Sequence, residues 1–208
     1  MHISKLHFIA ATTEQAKQAC VGGVRWVQLR VKNTPAAAWE EVARATQQVC
    51  RRYGATLIIN DNPALARTIG ADGVHLGKED MPPAEARALL GAGPIIGGTA
   101  NTFEDVQRLA AAGVDYIGMG PFRFTTTKQN LSPILGLEGY QAILGQARAA
   151  GIRTPIIAIG GILLADVPAL LAAGLHGVAV SGAIAHAPDP AAEAALFLEQ
   201  LHPQAIRS

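Results

Sequence analysis

Three consecutive threonines, Thr125, Thr126 and Thr127, stand directly before Lys128 in a polar segment of the sequence. Hydroxyl groups, loop amides and an ammonium group are hydrogen-bond donors that proteins use to hold phosphate. Pro121 ends the apolar run before them and cannot continue a central β-strand, so the threonines and the lysine fall on a loop. Taken alone, this segment fits either a phosphate-binding loop or an ordinary solvated turn.

Polar and apolar residues alternate in the segment Gln28-Leu29-Arg30-Val31-Lys32. In a β-strand, this alternation puts Gln28, Arg30 and Lys32 on one side and Leu29 and Val31 on the other. A buried row with two cations costs free energy unless an anion or carboxylates compensate its charge. The alternative, an ordinary exposed edge face, fits poorly in a parallel sheet. We therefore interpret the row as part of an anion site.

Two carboxylates follow other apolar runs, Asp61 directly after Asn60 and Asp80 five residues after His75. Each of them, taken singly, also fits a turn or a helix cap. Two carboxylates on neighbouring loops that face a basic row are more specific, because Mg²⁺ binds through one or two carboxylates plus substrate phosphates. We interpret Asp61 and Asp80 as a magnesium pair, and His75 as an interior packing or hydrogen-bonding residue.

A hydroxyl and an amide, those of Thr99 and Asn101, follow a further apolar run. Both residues could contact a ligand, or either could cap the helix that is expected to begin near Thr102. For Thr102 itself, with Asp105 three residues later, helix capping is the preferred interpretation.

Eight short runs with strand character, separated by alanine-rich helical segments, must position these residues. The runs are Leu6 to Ala10, Trp26 to Val31, Thr56 to Asn60, Gly73 to Gly77, Ile95 to Ala100, Tyr116 to Gly120, Ile156 to Gly160 and Gly177 to Ser181. Strands that alternate with helix-length segments indicate parallel pairing through crossovers.

An internal repeat supports this count of strands. The glycines Gly23, Gly70, Gly113 and Gly174 each precede two linking residues and then a strand, as helix C-caps would. They introduce the second, fourth, sixth and eighth strands. The recurrence predicts an α/β fold, a single (β/α)₈ TIM barrel, with a doubly wound open sheet as the alternative.

The helical segments differ in how clearly they are marked. Residues Ala38 to Tyr53 form the clearest one, with a predicted buried face at Trp39, Val42, Thr46, Val49 and Tyr53. A helix from Asp166 to Gly174 has an acidic start, an early proline and a glycine stop. The segment Thr12 to Val21 leaves room for under three turns and is expected to be short or irregular.

In a TIM barrel, inward side chains form layers of four from alternate strands. The repeat predicts one layer of Gln28, His75, Gly118 and Ala179, and a layer nearer the mouth of Arg30, Gly77, Gly120 and Ser181. One arginine and three small residues cannot fill a core, so we expect an open mouth that binds a ligand.

Glycine and serine end the last two runs, at Gly161 and at Ser181-Gly182. Backbone amides there could approach a ligand, and the loops after strands seven and eight of this fold often hold phosphate. By themselves these residues are a weak indication, because glycine is common at strand ends.

Composition excludes several classes of protein. The chain has 208 residues, 50% of them hydrophobic, and a formal net charge of +1, so no basic field indicates a nucleic-acid partner. No apolar run is long enough for a membrane span, and no signal peptide is evident, so we expect a cytoplasmic protein. Cys20 and Cys50 lack metal-ligand spacing, and a disulfide between them is not expected.

We expect one domain over residues 1–208, with residues 188–208 as a final helix and tail, and we leave a homo-oligomer open.

Together these motifs resemble the thiamine-phosphate synthase family, from Val27 to Ile184. The resemblance rests on Gln28 to Lys32, Asn60-Asp61, Gly73 to Asp80, Gly120-Pro121 with Thr125 to Lys128, Ile159 to Ile162, and Gly177 to Val180. It implies a transferase whose small-molecule substrates are hydroxymethylpyrimidine diphosphate and thiazole phosphate, with Mg²⁺ as cofactor.

The resemblance also implies a role for each matched position. The residues implied to bind the pyrimidine diphosphate are Gln28, Leu29, Arg30, Val31, Lys32, Asn60, Thr99, Asn101 and Lys128. Those implied to bind the thiazole phosphate are Thr125, Thr126, Thr127, Gly161, Ser181 and Gly182. Asp61 and Asp80 would hold Mg²⁺, and Arg30, Lys32 and Lys128 would be catalytic by stabilising charge on the departing pyrophosphate.

Three positions depart from the family pattern. Thr99 stands where the family usually has serine, Asn101 where it usually has histidine, and Gly182 where it usually has serine. Two other functions remain as alternatives, and the sequence disfavours both. A thiazole tautomerase of the same fold uses a histidine at the position of Asn101 and does not need the carboxyl pair. A non-catalytic binder of thiamine precursors could have lost Asp61, Asp80, Arg30 and Lys128, which are all present.

Overall fold

The structure, a computed structural model, describes residues 2–124 and 133–202. Within these residues, eight parallel strands pair in chain order and the eighth pairs with the first, so the sheet is a closed barrel. This confirms the predicted (β/α)₈ barrel and excludes the open sheet. The strands are β1 (Leu6–Ala10), β2 (Trp26–Leu29), β3 (Thr56–Asn60), β4 (Gly73–Leu76), β5 (Ile95–Ala100), β6 (Tyr116–Met119), β7 (Ile156–Ile159) and β8 (Gly177–Val180).

Helices surround the barrel and connect successive strands. They are α1 (Thr13–Val21), α2 (Ala36–Tyr53), α3 (Pro63–Ile69), α4 (Pro83–Leu90), α5 (Phe103–Ala111), α6 (Gly136–Ala149), α7 (Val167–Ala173), α8 (Gly182–Ala185) and α9 (Pro190–Leu201), with a short 3₁₀ helix at Leu164–Asp166. The clustered apolar side chains between strands and helices form the larger core. Among the described residues, no helix combines the length and apolarity that a bilayer span requires.

Five strands end earlier than predicted, although every strand begins at the predicted residue. The predicted last residues Val31, Gly77, Gly120, Gly160 and Ser181 lie instead in the loops that follow. Gly160, for example, has a φ of 99°, which no extended strand adopts. The residues expected at the strand ends therefore belong to the loops of the mouth.

The helix α2 buries a face that is rotated from the predicted one. Its fully buried residues are Ala43, Thr46, Gln47 and Cys50, whereas the predicted Trp39, Val42, Val49 and Tyr53 are half-buried. Small side chains occupy the centre of this buried face because α1 packs closely against it. The hydroxyl of Thr13 in α1 lies 3.0 Å from the hydroxyl of Thr46. The larger apolar side chains then cover the flanks.

The first helix is regular rather than irregular. Nine residues form α1, and the side chain of Thr12 caps it by accepting a hydrogen bond from the Gln15 amide. The predicted helix Asp166 to Gly174 is divided, because Leu164–Asp166 is a 3₁₀ turn and α7 begins at Val167. Cys20 and Cys50 are both buried and free of any disulfide, as expected.

The four repeated glycines have the left-handed backbone that a helix stop requires. Their φ angles are 99° at Gly23, 63° at Gly70, 70° at Gly113 and 104° at Gly174. Each lies three residues before the first residue of β2, β4, β6 or β8. Gly70 and Gly174 are the C-caps of their helices, as predicted, whereas Gly23 and Gly113 directly follow the C-caps Gly22 and Ala112. Because other residues rarely adopt positive φ, all four mark the turn that precedes alternate strands.

The barrel interior holds a second, smaller core. Its buried members are Ile3, Ile9, Trp26, Ile58, Ile95, Tyr116, Ile157 and Ala179. The ring of Tyr116 fills the space beside Gly97, where a β-carbon would lie 2.2 Å from the ring carbon Cζ. His7 stacks on Trp26 with ring centroids 4.3 Å apart. Burial, followed by the nearby charge of His75, lowers the pKa of His7 well below its usual value, so the imidazole is neutral.

The predicted inward layer of Gln28, His75, Gly118 and Ala179 is confirmed. A β-carbon at Gly118 would lie 3.0 Å from Cε1 of His75, so this glycine makes room for the imidazole. In the layer above, a β-carbon at Gly120 would lie 2.2 Å from the carbonyl oxygen of Ile159. Gly120 therefore lets β6 approach β7, and the expectation that it opens space for a ligand is wrong.

We expect Gly97→Ala to destabilise the fold by about 1–3 kcal/mol, because the buried ring of Tyr116 cannot move away from the added methyl group. Urea denaturation measures this change in the free energy of unfolding. The matched control is Gly145→Ala in α6, where a β-carbon would meet no atom within 4 Å. We expect the control to be neutral or more stable by up to about 1 kcal/mol. Equal stability of the two variants would contradict this account of the interior.

Candidate active site

The described candidate residues lie at the carboxyl ends of the strands, on one face of the barrel. We call this face the mouth. Asn60 is the last residue of β3, Thr99 lies in β5, and Arg30 and Ser181 follow β2 and β8 directly. In TIM barrels this is the face that carries the active site, because the loops after all strands converge there.

The basic row runs outwards from the barrel interior to solvent. Gln28 is buried, Arg30 is half-buried and Lys32 is exposed. The prediction that the whole row is buried is therefore wrong, because β2 ends at Leu29 and only Gln28 of the three lies inside the barrel. The burial of Arg30 lowers the pKa of its guanidinium, and the charge of Asp61 opposes this effect.

The side chains of Leu29 and Val31 face the helices, as the alternation predicted. Leu29 is fully buried in the larger core, and Val31 packs against that core. A contact between either residue and a ligand in the mouth would therefore involve its main chain.

The carboxyl groups of Asp61 and Asp80 lie side by side. Their surroundings raise the pKa of Asp61 to about 6, first through desolvation, then through a hydrogen bond with Asp80 and the charge of Asp80. Arg30 and a hydrogen bond with Asn60 act in the opposite direction. Because Asp61 is also partly exposed to water, solvent screening moderates the repulsion within the pair. Two neighbouring acidic groups that share a hydrogen bond are an unfavourable arrangement for a protein without a bound cation.

The backbone around the pair orients both carboxyl groups. Asp61 has a left-handed φ of 62°, and its amide donates to the carbonyl of His75 at 2.8 Å. The amide of Gly77 donates to Oδ2 of Asp80 at 2.6 Å. A β-carbon at Gly77 would lie 2.8 Å from that oxygen and 3.9 Å from Oδ1 of Asp61. Gly77 is therefore the small residue around which the two side chains converge.

The pair fits a magnesium ion. Carboxylate oxygens are the ligands that Mg²⁺ prefers, and a pair suffices because substrate phosphates and water complete its coordination. In the described part of the chain, no group of three or more His, Cys, Asp or Glu side chains forms a self-sufficient metal cage. A divalent cation would also favour the ionised form of Asp61, which desolvation and then the neighbouring Asp80 make unfavourable.

A chain of hydrogen bonds connects the barrel interior to the mouth. The Tyr116 hydroxyl is hydrogen bonded to Gln28 and lies 3.0 Å from Nδ1 of His75. Nε2 of the same imidazole lies 3.0 Å from the Thr99 hydroxyl. The interpretation of His75 as an interior hydrogen-bonding residue is therefore confirmed. Sequence analysis missed the part played by Tyr116, since only the fold brings its hydroxyl beside residues from two other strands, β2 and β4.

Asn101 has a structural partner. Its side-chain amide donates to the carbonyl of Gly120, and its main-chain amide donates to Asp105 at 2.9 Å. The expected cap of the next helix is Thr102, which forms a capping box with Asp105. Asn101 therefore ties the end of β5 to the end of β6, and this contact joins the two loops that follow them.

Open backbone amides occur at the loops after β7 and β8. In the residues that the structure describes, no hydrogen bond uses the N–H of Gly161 or of Gly182. The hydroxyl of Ser181 donates to the carbonyl of Ile9 at 2.9 Å, which ties β8 to β1. The amides remain available to an anion, whereas the serine hydroxyl already has an acceptor and could only accept a further hydrogen bond.

The predicted phosphate loop is only partly described. Thr125, Thr126, Thr127 and Lys128 lie outside the described residues. Directly before them, Arg123 forms an ion pair with Asp166 that sequence analysis did not predict. The two residues are 43 positions apart in the chain, and the sequence analysis gave Asp166 only the start of a helix.

Comparisons with known proteins agree with this geometry. The model of the family described as thiamine monophosphate synthase matches residues 2–184. A thiamine-phosphate synthase of Phocaeicola vulgatus is 56% identical over 180 residues, which are 86% of this chain and 86% of the relative. A thiamine-phosphate synthase of Flavobacterium psychrophilum is 49% identical over 174 residues, 84% of each chain.

Solved structures support the same assignment. A thiamine phosphate pyrophosphorylase from Pyrococcus furiosus superposes with a TM-score of 0.84 over 95% of both chains, at 29% identity. A 3-hexulose-6-phosphate synthase superposes with a TM-score of 0.69 at 20% identity, a likeness that concerns the fold alone. The family model matches most of this chain, and relatives are identical to it at about half of the aligned positions. The chain therefore belongs to the thiamine monophosphate synthase family and is an enzyme, a transferase.

Proposed function

We propose that the protein couples 4-amino-5-hydroxymethyl-2-methylpyrimidine diphosphate with thiazole phosphate, in the presence of Mg²⁺, to give thiamine phosphate and pyrophosphate. The observation that carries the proposal is the mouth of the barrel, where the carboxyl pair Asp61 and Asp80 lies beside the half-buried cation Arg30. A diphosphate with a divalent cation would compensate both sets of charges. Family membership supports the choice of these two substrates.

The pyrimidine diphosphate is proposed to lie along the basic row. Gln28, buried and hydrogen bonded to Tyr116, offers a polar contact at the inner end, where the heterocycle would lie. Arg30 and Lys32 would contact the diphosphate at the outer end, together with Asn60 and Thr99. The remaining members of this proposed set are Leu29 and Val31 through their main chains, Asn101, and Lys128.

Asp61 and Asp80 would hold the magnesium ion. When bound, the ion supplies positive charge that neutralises the oxygens of the leaving pyrophosphate. The protein contributes a fixed pair of oxygen ligands, oriented by the Gly77 amide and by the backbone of Asp61.

The reaction would be dissociative. The bond between the pyrimidine methylene carbon and the diphosphate oxygen breaks, and its electron pair leaves with pyrophosphate. The cation left on the methylene carbon is then captured by the lone pair of the thiazole nitrogen. Arg30, Lys32 and Lys128 would stabilise the negative charge that develops on the leaving group, as preorganised cations do. No protein nucleophile is required.

The thiazole phosphate is proposed to lie across the loops after β6, β7 and β8. The open amides of Gly161 and Gly182 would donate to its oxygens, with a further contact from the main-chain amide of Ser181. The hydroxyls of Thr125, Thr126 and Thr127 complete the proposed set.

One assay tests the proposed function against its alternatives. The purified protein is mixed with both phosphorylated precursors and Mg²⁺, and thiamine phosphate and pyrophosphate are measured. We expect both products in equal amounts. A folded protein that yields neither product contradicts the proposal, and isomerisation of the thiazole alone would instead indicate a tautomerase. Binding of the precursors without turnover would indicate a non-catalytic binder.

We expect Asp80→Asn to lower Mg²⁺-dependent turnover by about 100-fold or more, because the variant replaces an anionic ligand by a neutral amide. A second measurement does not depend on activity. Mg²⁺ with pyrophosphate should raise the thermal midpoint of the wild type and leave that of the variant unchanged. The control is Glu79→Gln, an exposed neighbour, which should behave as the wild type. Wild-type magnesium dependence in Asp80→Asn would refute the metal assignment.

We expect Arg30→Gln to lower kcat/KM for the pyrimidine diphosphate by about 100-fold, the loss seen when one preorganised donor to a developing charge is removed. Steady-state kinetics with each substrate varied in turn provides the measurement. Arg51→Gln is the matched control, since Arg51 is exposed on α2. A similar loss in both variants would show that the effect is one of overall charge rather than of contact with the diphosphate.

A further inference from the structure

Arg123 links two loops of the mouth. We call residues 120–124 the β6 loop and residues 160–166 the β7 loop. The guanidinium of Arg123 donates to Asp166 twice, from Nη1 to Oδ2 at 2.6 Å and from Nη2 to Oδ1 at 2.8 Å. Nη1 also donates to the carbonyl of Gly161 at 2.7 Å. A two-point ion pair of this kind fixes direction as well as distance.

The backbones of the two loops are also joined. The amide of Phe122 donates to the carbonyl of Ile159 at 2.9 Å, and the amide of Arg123 donates to the carbonyl of Gly160 at 3.0 Å. A β-carbon at Gly161 would lie 2.4 Å from Cγ of Arg123. The arginine side chain can therefore reach Asp166 only because position 161 is a glycine.

Asp166 in turn orders its own loop. Its Oδ2 accepts a hydrogen bond from the amide of Leu163 at 2.7 Å. Partial burial raises the pKa of Asp166, but the hydrogen bonds from Arg123 and Leu163 more than offset this effect and lower the pKa below its usual value. The carboxylate is therefore ionised at neutral pH and holds the arginine in place.

These contacts orient two consecutive peptide groups of the β7 loop. A trans peptide is planar, so its N–H points away from its C=O. Because the carbonyls of Gly160 and Gly161 both accept hydrogen bonds from Arg123, the N–H groups of Gly161 and Ile162 point away from it. Within residues 2–124 and 133–202, neither N–H donates a hydrogen bond. Two adjacent open donors held in this way are a preorganised contact for an anion.

We propose that Arg123 is a positioning residue, which through Asp166 and the two carbonyls holds the Gly161 and Ile162 amides towards the phosphate of the thiazole substrate. This inference rests on the proposed function and assigns to it a residue that touches neither substrate. The ion pair is half-exposed, with 41% of the Arg123 side chain accessible to solvent, so its net contribution to stability is small. Its loss should therefore change substrate binding more than folding.

The test compares Arg123→Gln and Asp166→Asn with the wild type. We expect each variant to raise the KM for thiazole phosphate about tenfold, with the KM for pyrimidine diphosphate and the thermal midpoint unchanged. Arg123→Lys keeps the charge but only one contact, so we expect an intermediate KM. Arg44→Gln is the matched control, because it breaks an exposed ion pair with Glu40, 2.7 Å long, on α2.

The outcomes separate this inference from the proposed function. A folded Arg123→Gln or Asp166→Asn with a wild-type KM for thiazole phosphate would overturn the positioning role, and so would an equal rise in both KM values. If Arg123→Gln does not fold, Asp166→Asn, which keeps an oxygen acceptor for Leu163, decides the question. A wild-type protein that forms no thiamine phosphate would overturn the proposed function and this inference together.

Discussion

The ring of Tyr116 in the centre of the barrel is the feature on which the rest of the structure depends. The interior of a closed sheet must be filled with side chains. The ring of Tyr116 fills part of it, in space that is free because residue 97 is a glycine. Its hydroxyl then holds Gln28 and His75, and His75 holds the hydroxyl of Thr99 at the edge of the mouth. One residue thus packs the core and supports the polar groups above it.

The mouth is electrostatically unfavourable on its own. Burial lowers the pKa of Arg30, and burial followed by the neighbouring carboxyl group of Asp80 raises the pKa of Asp61. In both cases the protein makes the ionised form of the group less favourable than it is in water. An anion beside Arg30 and a cation beside the carboxyl pair would relieve both effects. The proposed magnesium-bound diphosphate would supply both of these charges.

Much of the fold could be predicted because its signals are local. The glycines before alternate strands have fixed spacing, and alternation within a strand correctly separates Gln28 from Leu29. Burial could not be predicted in the same way. Alternation shows which side of a strand a residue faces but not where the strand ends, and Lys32, which was expected in a buried row, is exposed. Contacts between residues that are distant in sequence also have no recognisable pattern in the sequence. Arg123 meets Asp166 only because β6 and β7 are neighbours, and an arginine in a loop has no local feature that predicts such a partner.

The left-handed backbone of Asp61 restricts which amino acids evolution can place at that position. Glycine, asparagine and aspartate tolerate this conformation best, because longer and branched side chains crowd the backbone there. Glycine has no ligand atom, and asparagine has no charge. Glutamate would keep the charge but lose the ease with which a short side chain adopts positive φ. Aspartate alone combines a carboxylate with easy access to this backbone conformation, so single substitutions offer this position almost no alternative that keeps its charge beside Asp80.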